Sequence, residues 1–477
     1  MDKIYTVGII GGGVSGVVSA LQLANNEIDS ILFEKEKSVV NGPPFCHLHA
    51  GGNLYLDISE EQCKILMKQS IEMARLFPQS IDERPTFISI PKSEKYEVAQ
   101  IEKRLKLLVT YYKKLIQEDP AHEVLGSPEE YYKIFSKDDL DRLALLPTVA
   151  HPNTPDEWII NSVKWIDYEK LKMPVVLVAE YGWNLFRLGA QAQLALVKSE
   201  LCDFKLNTSV VSIRDVRDQK LDHNWIISTN DQNYKVKYLV NSCGFKTGLI
   251  DQALQLKTKR LIEFKAAYVS QWDPIPGLIP EFIFHGERGT THGMAQLTPY
   301  RDNLYQIHGM TSDITLFENG LVQSKENEVQ PEFDDTINQK LNRDWAEDEI
   351  NIRTKRGIDY ISQFVPNFKS ATVGGPPLFG AQQIPGNDLS LRVGEVSFPS
   401  PFYARIEIIK ASSALTVANQ IIQKLQDENL VNIDKIKTNQ NQILDSIPKS
   451  EIDTLASQLA IQRGYPEAMS RLVIEKG

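Results

Sequence analysis

The 477-residue chain is short of several things, and each shortage removes a class of explanation. It holds four cysteines, Cys46, Cys63, Cys202 and Cys243, far apart and without a C-x-x-C pair. That spacing argues against a disulfide framework or a zinc site and fits thiols kept reduced. No stretch approaches the ~18 consecutive apolar residues of a membrane span. There is no basic excess either: 52 Lys and Arg stand against 62 Asp and Glu, a formal charge of −10. General nucleic-acid binding needs clustered cations, so nucleic acid is not an expected partner, although a local basic pocket for an anionic substrate remains open. A secretory leader is not expected either. Apolar strand residues begin at Ile4 with no cleavage region before them, so the expectation is a cytoplasmic protein folded from residue 1.

What is present is the balance of a globular protein, 42% hydrophobic and 24% charged. The length predicts two intertwined domains. The strongest signal opens the chain. A β-branched run, Ile4–Ile10, leads into Gly11-Gly12-Gly13-Val14-Ser15-Gly16 and then a helical pattern from Val17 to Leu21. In a G-x-G-x-x-G turn of this kind, Gly11 permits the tight turn and Gly13 lets backbone approach a pyrophosphate. Gly16 lets the helix pack close to the strand. The helix N-terminus, with Val14 and Ser15, offers N–H groups and positive dipole to phosphates. The next strand, Ser30–Phe33, ends in Glu34, 18 residues after Gly16, followed by Lys35. A carboxylate there accepts hydrogen bonds from ribose hydroxyls. Strand, turn, helix and acid in register predict a dinucleotide site.

The sheet pattern does not continue at once. An irregular segment, Asn41–Leu54, and long helical patterns intervene, and strands resume near residue 205. Phe204–Ile213 reads as one strand carrying Val211, Trp225–Thr229 with Tyr234–Lys237 as a hairpin, and Tyr238–Gly244 as a buried strand. A nucleotide domain interrupted by a substrate domain is a habit of large flavoproteins. The predicted fold is therefore α/β, α+β overall: a Rossmann-like FAD-binding domain with an interleaved substrate domain of antiparallel sheet plus helices. The expected boundaries are 1–58, 170–255 and 366–425 for the FAD-binding domain and 59–169 with 256–365 for the substrate domain. Residues 426–477 form a helical tail.

On Gly11–Gly16, Glu34, Ala50–Asn53, Leu239–Gly244 and Val373–Leu391, the chain resembles the D-amino-acid oxidase and glycerol-3-phosphate dehydrogenase superfamily of flavoproteins. The resemblance implies FAD as cofactor. It also implies that Val211, Ser242 and Gly244 lie beside the dinucleotide, with Gly375, Pro376 and Gly394 in a late loop that holds the flavin ring. The helical stretch expected from Tyr403 to Leu425 would follow that loop, with its N-terminal dipole toward the flavin. His49-Ala50-Gly51-Gly52, followed by Asn53, is similar to the His-Ala-Ala-Gly loop of dimethylglycine and sarcosine dehydrogenases, whose histidine bonds covalently to FAD. Here a noncovalent loop beside the flavin is the first reading. The segments Phe87–Glu94 and Leu297–Pro299 resemble malate:quinone oxidoreductases in part.

The second chemical cluster lies between 281 and 316, where short alternating strands carry three of the eight histidines. Oxidising a C–H bond next to oxygen or nitrogen requires an anchored substrate and a proton acceptor. His292, His308 and Arg301 are the catalytic candidates, with Gln296 and Tyr300 for substrate binding. Arg353, Lys355 and Arg356 are alternative anion anchors. Lys257, Lys259, Arg260 and Lys265 read as a solvated edge, with attraction of an anionic substrate or a quinone-bearing membrane surface as the alternative. The expected reaction is hydride transfer from a small carboxylate-bearing, malate-like 2-hydroxy acid to flavin. A quinone or another acceptor then reoxidises it, which would place the protein at the inner face of a membrane. An amine or amino-acid oxidation, or a non-redox FAD-binding protein, are the alternatives.

Overall fold

The computed structural model describes residues 3–44, 46–47, 56–273, 276–325, 328–434, 436–437 and 441–474. Two large sheets organise it. In the first, β1 (Ile4–Ile10) pairs in parallel with β2 (Ser30–Phe33) on one side and with Asn233–Asn241 on the other. Tyr403–Glu407 continues the parallel set beside Leu239–Asn241, and Cys202–Lys205 extends it past β2. Between β1 and β2, helix α1 (Val14–Asn25) is buried along nearly its whole length, from Ser15 to Ala24. It is wedged between the sheet and the helices Leu185–Lys198 and Ala414–Asp427. The small residues Gly16, Ser19 and Ala20 make that depth of packing possible.

The second sheet is built around the long strand Arg260–Gln271, which pairs antiparallel with Leu378–Pro385 and Leu304–Gly309. The order continues through Ala295–Pro299, Glu281–Phe284, Thr86–Ser89, Val175–Val178 and Tyr132–Phe135. Glu281–Phe284, Ala295–Pro299 and Leu304–Gly309 alternate between two faces. Phe282, Phe284, Ala295, Leu297, Tyr305 and Ile307 face a core closed by helix Glu347–Ile361. Glu281, Gln296, Thr298, Gln306 and His308 lie on the opposite face. A polar stripe on a buried sheet face is where a binding cavity belongs.

Several expectations change. Phe204–Ile213 is two strands, Cys202–Lys205 and Val210–Asp215, broken at Asn207 with φ of 52°. The stretch Tyr403–Leu425 is not one helix. Tyr403–Glu407 is a fully buried strand, because its β-side neighbours are Leu239–Asn241, and the helix begins at Ala414. By strand pairing, Val175–Val178 and Leu378–Pro385 belong to the second sheet, although both fall in ranges assigned from sequence to the nucleotide domain. Arg260 is not on a solvated edge. It is fully buried and ion-pairs with Asp251, which also takes Arg405 at 3.1 Å, so the cluster pins the two sheets together. The tail is docked: Lys449–Gln462 packs on Leu185–Lys198, and Val473 and Ile474 donate backbone N–H groups to Asp82, each at 3.2 Å. No helix among the described residues is long and apolar enough to cross a membrane.

Candidate functional site

A cavity of about 980 Å³ runs between the C-terminal edge of the first sheet and the polar face of the second. Its first wall is the glycine loop. Gly11 adopts φ of +105°, and a Cβ there would sit 2.3 Å from the Ser242 carbonyl oxygen. At Gly16 a Cβ would sit 1.9 Å from the Gly11 carbonyl oxygen. Both positions are therefore glycine for backbone packing. Gly13 differs: a Cβ there meets no protein atom within 4 Å, so the space above it belongs to the cavity. Gly13 is also the N-cap of α1, with no side-chain cap and no acidic residue in the first turn. The first N–H groups of the helix are thus left to an anion.

Glu34 is held ready at the end of β2. Its Oε2 accepts from Gly12 N at 2.7 Å and its Oε1 from Glu36 N at 2.8 Å, while burial pushes its carboxyl up. Ser15 and Ser242 hydroxyls meet at 2.7 Å, tying α1 to the end of Asn233–Asn241. Gly11, Gly13, Val14, Ser15, Glu34, Lys35, Val211, Ser242 and Gly244 all line the cavity, while Gly16 supports the loop from below. Gly375, Pro376 and Gly394 do not line it. A Cβ on Gly375 would meet Pro466 at 3.2 Å, and one on Gly394 would meet Ile408 Cα at 2.6 Å. In the late segment it is Phe379–Gln383, displayed by the strand, that reaches the cavity. His49, Ala50, Gly51, Gly52 and Asn53 lie outside the described residues.

The second wall brings Gln296 and His308 together as cross-strand partners facing the cavity. Tyr300 is set back, with its hydroxyl 3.1 Å from Gln306 Oε1. The other catalytic candidates are not on the cavity. His292 is exposed in a turn beside Thr291, and Arg301 donates from Nε to the Leu472 carbonyl at 2.7 Å, holding the tail. Arg353 is stacked 3.8 Å over the Phe317 ring and donates to the Ile314 carbonyl, so it is not an anion anchor.

Among the cations that face the cavity, Lys265, Arg288 and Arg392 gather around two carboxylates. Glu263 sits among them: Lys265 Nζ lies 2.7 Å from its Oε2, and Arg288 pairs with its Oε1. Asp57 faces both guanidiniums. Burial and the nearby Arg392 guanidinium push the Lys265 ammonium down to about 7 and the Arg288 guanidinium down to about 10. Three desolvated cations against the two carboxylates Glu263 and Asp57 leave an excess of positive charge suited to an anion. Sequence reasoning missed Glu263, Arg288, Arg392 and Asp57. A signal existed for one pair, since Glu263 and Lys265 interrupt an apolar strand at a spacing of two, on one face.

The tail completes the rim. Arg463 donates to the carbonyls of Val40, Asn41 and Gly42, the last at 2.6 Å, and stacks over the Phe186 and Tyr465 rings. Both Arg463 and Tyr465 line the cavity.

Solved structures share the fold. The L-proline dehydrogenase from P.horikoshii aligns over 92% of this chain and 96% of its own, with a TM-score of 0.60 at 13% identity. The chain shares its fold. The glycine oxidase from Geobacillus kaustophilus aligns over 89% of this chain and 95% of its own, with a TM-score of 0.56 at 12% identity. The L-alpha-glycerophosphate oxidase from Mycoplasma pneumoniae, solved with FAD bound, covers 92% of this chain and 98% of its own, with a TM-score of 0.55 at 12% identity. No protein-family model matches the chain, and no curated protein matches it by sequence.

Proposed function

We propose that the chain is an FAD-dependent oxidoreductase that oxidises a small donor bearing a carboxylate or comparable anion. The observation that carries this reading is one cavity walled by an uncapped glycine-loop helix and Glu34 on one side and by Lys265, Arg288 and Arg392 on the other. Gly13 and the first N–H groups of α1 would hold the cofactor's phosphates, and Glu34 its ribose hydroxyls. Bound FAD supplies a two-electron acceptor for hydride. The chain's own residues hold the donor. Arg288 and Arg392 anchor its anionic end, and Gln296 and His308 orient the group being oxidised. Lys265, poised near neutrality, binds the anion when protonated.

An amino or imino acid or a polyol phosphate is the donor class that the named neighbours support. The malate-like version ranks second, because the named neighbours are a proline dehydrogenase, a glycine oxidase and a glycerophosphate oxidase. Quinone reoxidation belongs to that version and falls in rank with it.

The test begins with the visible spectrum of purified protein, repeated after acid precipitation. Flavin bands released into the supernatant are expected, with His49 not covalently attached. Absence of flavin even after FAD is added would overturn the reading. Anaerobic bleaching by a panel of amino acids, glycerol phosphates and 2-hydroxy acids then sorts the donors. Bleaching by malate alone would restore the hydroxy-acid version.

A further inference from the structure

The turn Val40–Pro43 is where the two walls of the cavity meet, and all four of its residues line the space. Val40 donates its N–H to the Gly12 carbonyl at 2.9 Å, which ties the turn directly to the glycine loop. Its side chain is 3% exposed and packs over the helix Leu185–Lys198, where a Cβ on Gly189 would sit 3.3 Å from Val40 Cβ. Pro43 reaches the second sheet, since a Cβ on Gly380 would meet its Cδ at 2.6 Å. Val40 is also strained. It adopts φ of 57°, a left-handed conformation that sterics deny to most β-branched residues. A residue stays in such a conformation only where its surroundings hold it there.

Part of that hold comes from 423 positions away. Arg463 spreads its guanidinium over the carbonyls of Val40, Asn41 and Gly42, at 3.4, 3.2 and 2.6 Å. The segment that follows fixes Arg463 in turn. Tyr465 donates its hydroxyl to the Pro377 carbonyl at 3.1 Å, and Asn184 Nδ2 donates to the Met469 carbonyl at 3.0 Å. Val473 and Ile474 donate their N–H groups to buried Asp82. These anchors stand on both walls. Asn184 caps the helix beneath Val40, whereas Pro377 directly precedes the strand Leu378–Pro385 of the second sheet.

We propose that Arg463–Ile474 is a strap whose docking holds Val40 in its left-handed turn and so positions the glycine loop for the cofactor. Release of the strap lets Val40 relax, frees the Gly12 carbonyl and opens the junction between the two walls. Arg463 is thereby a positioning residue, acting on the cofactor through Val40 and Gly12. For what the cavity holds, the inference rests on the FAD reading. Coupling of this kind is reciprocal, so a cofactor that fixes the glycine loop also tightens the strap.

The test is hydrogen exchange read at single amides of flavin-free protein. Arg463→Met is expected to speed exchange of the Val40 N–H about tenfold. Asp82→Asn, which acts at the other end of the strap, should speed it as well. A tail that is merely packed would lose protection at Val473 and Ile474 in Asp82→Asn and leave Val40 as in wild type; that result overturns the inference. If Asp82→Asn does not fold, unchanged Val40 exchange in Arg463→Met overturns it alone. Val40→Gly gives a second signature, because glycine adopts a positive φ freely and needs no strap to keep it there. In that background Arg463→Met should alter exchange at position 40 by less than about twofold, and a persisting tenfold change counts against the strain argument. Added FAD should slow exchange at Ile474 several-fold, and FAD that binds without slowing it also overturns the inference. Failure to bind FAD sinks the oxidoreductase reading, while the Val40 comparison still decides this one.

Discussion

The glycine loop and the cationic cluster face the same cavity, but they are assembled at opposite scales. Gly11 to Gly16 is six consecutive residues, whereas Asp57, Glu263, Lys265, Arg288 and Arg392 span 336 positions, 57 to 392. The loop works by sterics, with glycine where backbone meets backbone. The cluster works by charge held in a desolvated place, only partly balanced by Glu263 and Asp57. Local geometry can be specified by neighbours in sequence. A converging field requires the whole fold to place its members.

The sharpest way to separate the two regimes is inside the loop. Gly13→Ala is expected to abolish FAD retention while leaving apoprotein stability within about 1 kcal/mol, since its Cβ meets no protein atom. Gly11→Ala should instead destabilise the apoprotein by roughly 2–4 kcal/mol, through its positive φ and the clash with Ser242. Thermal melts with and without added FAD distinguish them; equal loss of stability in both variants would erase the distinction.

On the other wall, Arg392→Met should leave the flavin spectrum intact and lower kcat/KM for the bleaching donor by about 100-fold, or ~3 kcal/mol. An unchanged kcat/KM would remove Arg392 from substrate binding. Arg463→Met, which loses three bonds to the 40–42 carbonyls, is expected to weaken FAD binding by about tenfold in a fluorescence titration.

Lys265 gives a pH signature. Its ammonium is depressed to about 7, so it is charged below that pH and neutral above it. Binding of a simple carboxylate such as benzoate, followed by its perturbation of the flavin spectrum, should weaken several-fold as pH rises through about 7. In Lys265→Met that pH dependence should vanish. The smallest effect is the most discriminating against the sequence reading. His292→Ala, in an exposed turn, should change stability by less than about 0.5 kcal/mol and leave the spectrum and turnover alone.

Legibility followed contact distance. The β1–α1–β2 unit and Glu34 could be read because each requirement is local: a positive φ at Gly11, an open approach at Gly13, a carboxylate at the end of the next strand. Gln296 and His308 were legible from alternation in short strands. The choice between His308 and His292 was not, since only strand register decides which histidine faces inward. Gly375 and Gly394 look like cofactor glycines in sequence but serve packing against Pro466 and Ile408. Arg392 and Arg463 carry no local mark at all.

The sequence by itself determined that a nucleotide-type loop opens an α/β chain and that a polar-striped antiparallel sheet follows it. Backbone sterics and side-chain periodicity act over a few residues, and that is why they are written there. Only the tertiary structure decided which cations converge on the cavity, which carboxylates lie among them, and that the tail closes its rim. Those outcomes depend on charges and donors brought within hydrogen-bonding reach across hundreds of residues, and no local pattern records them.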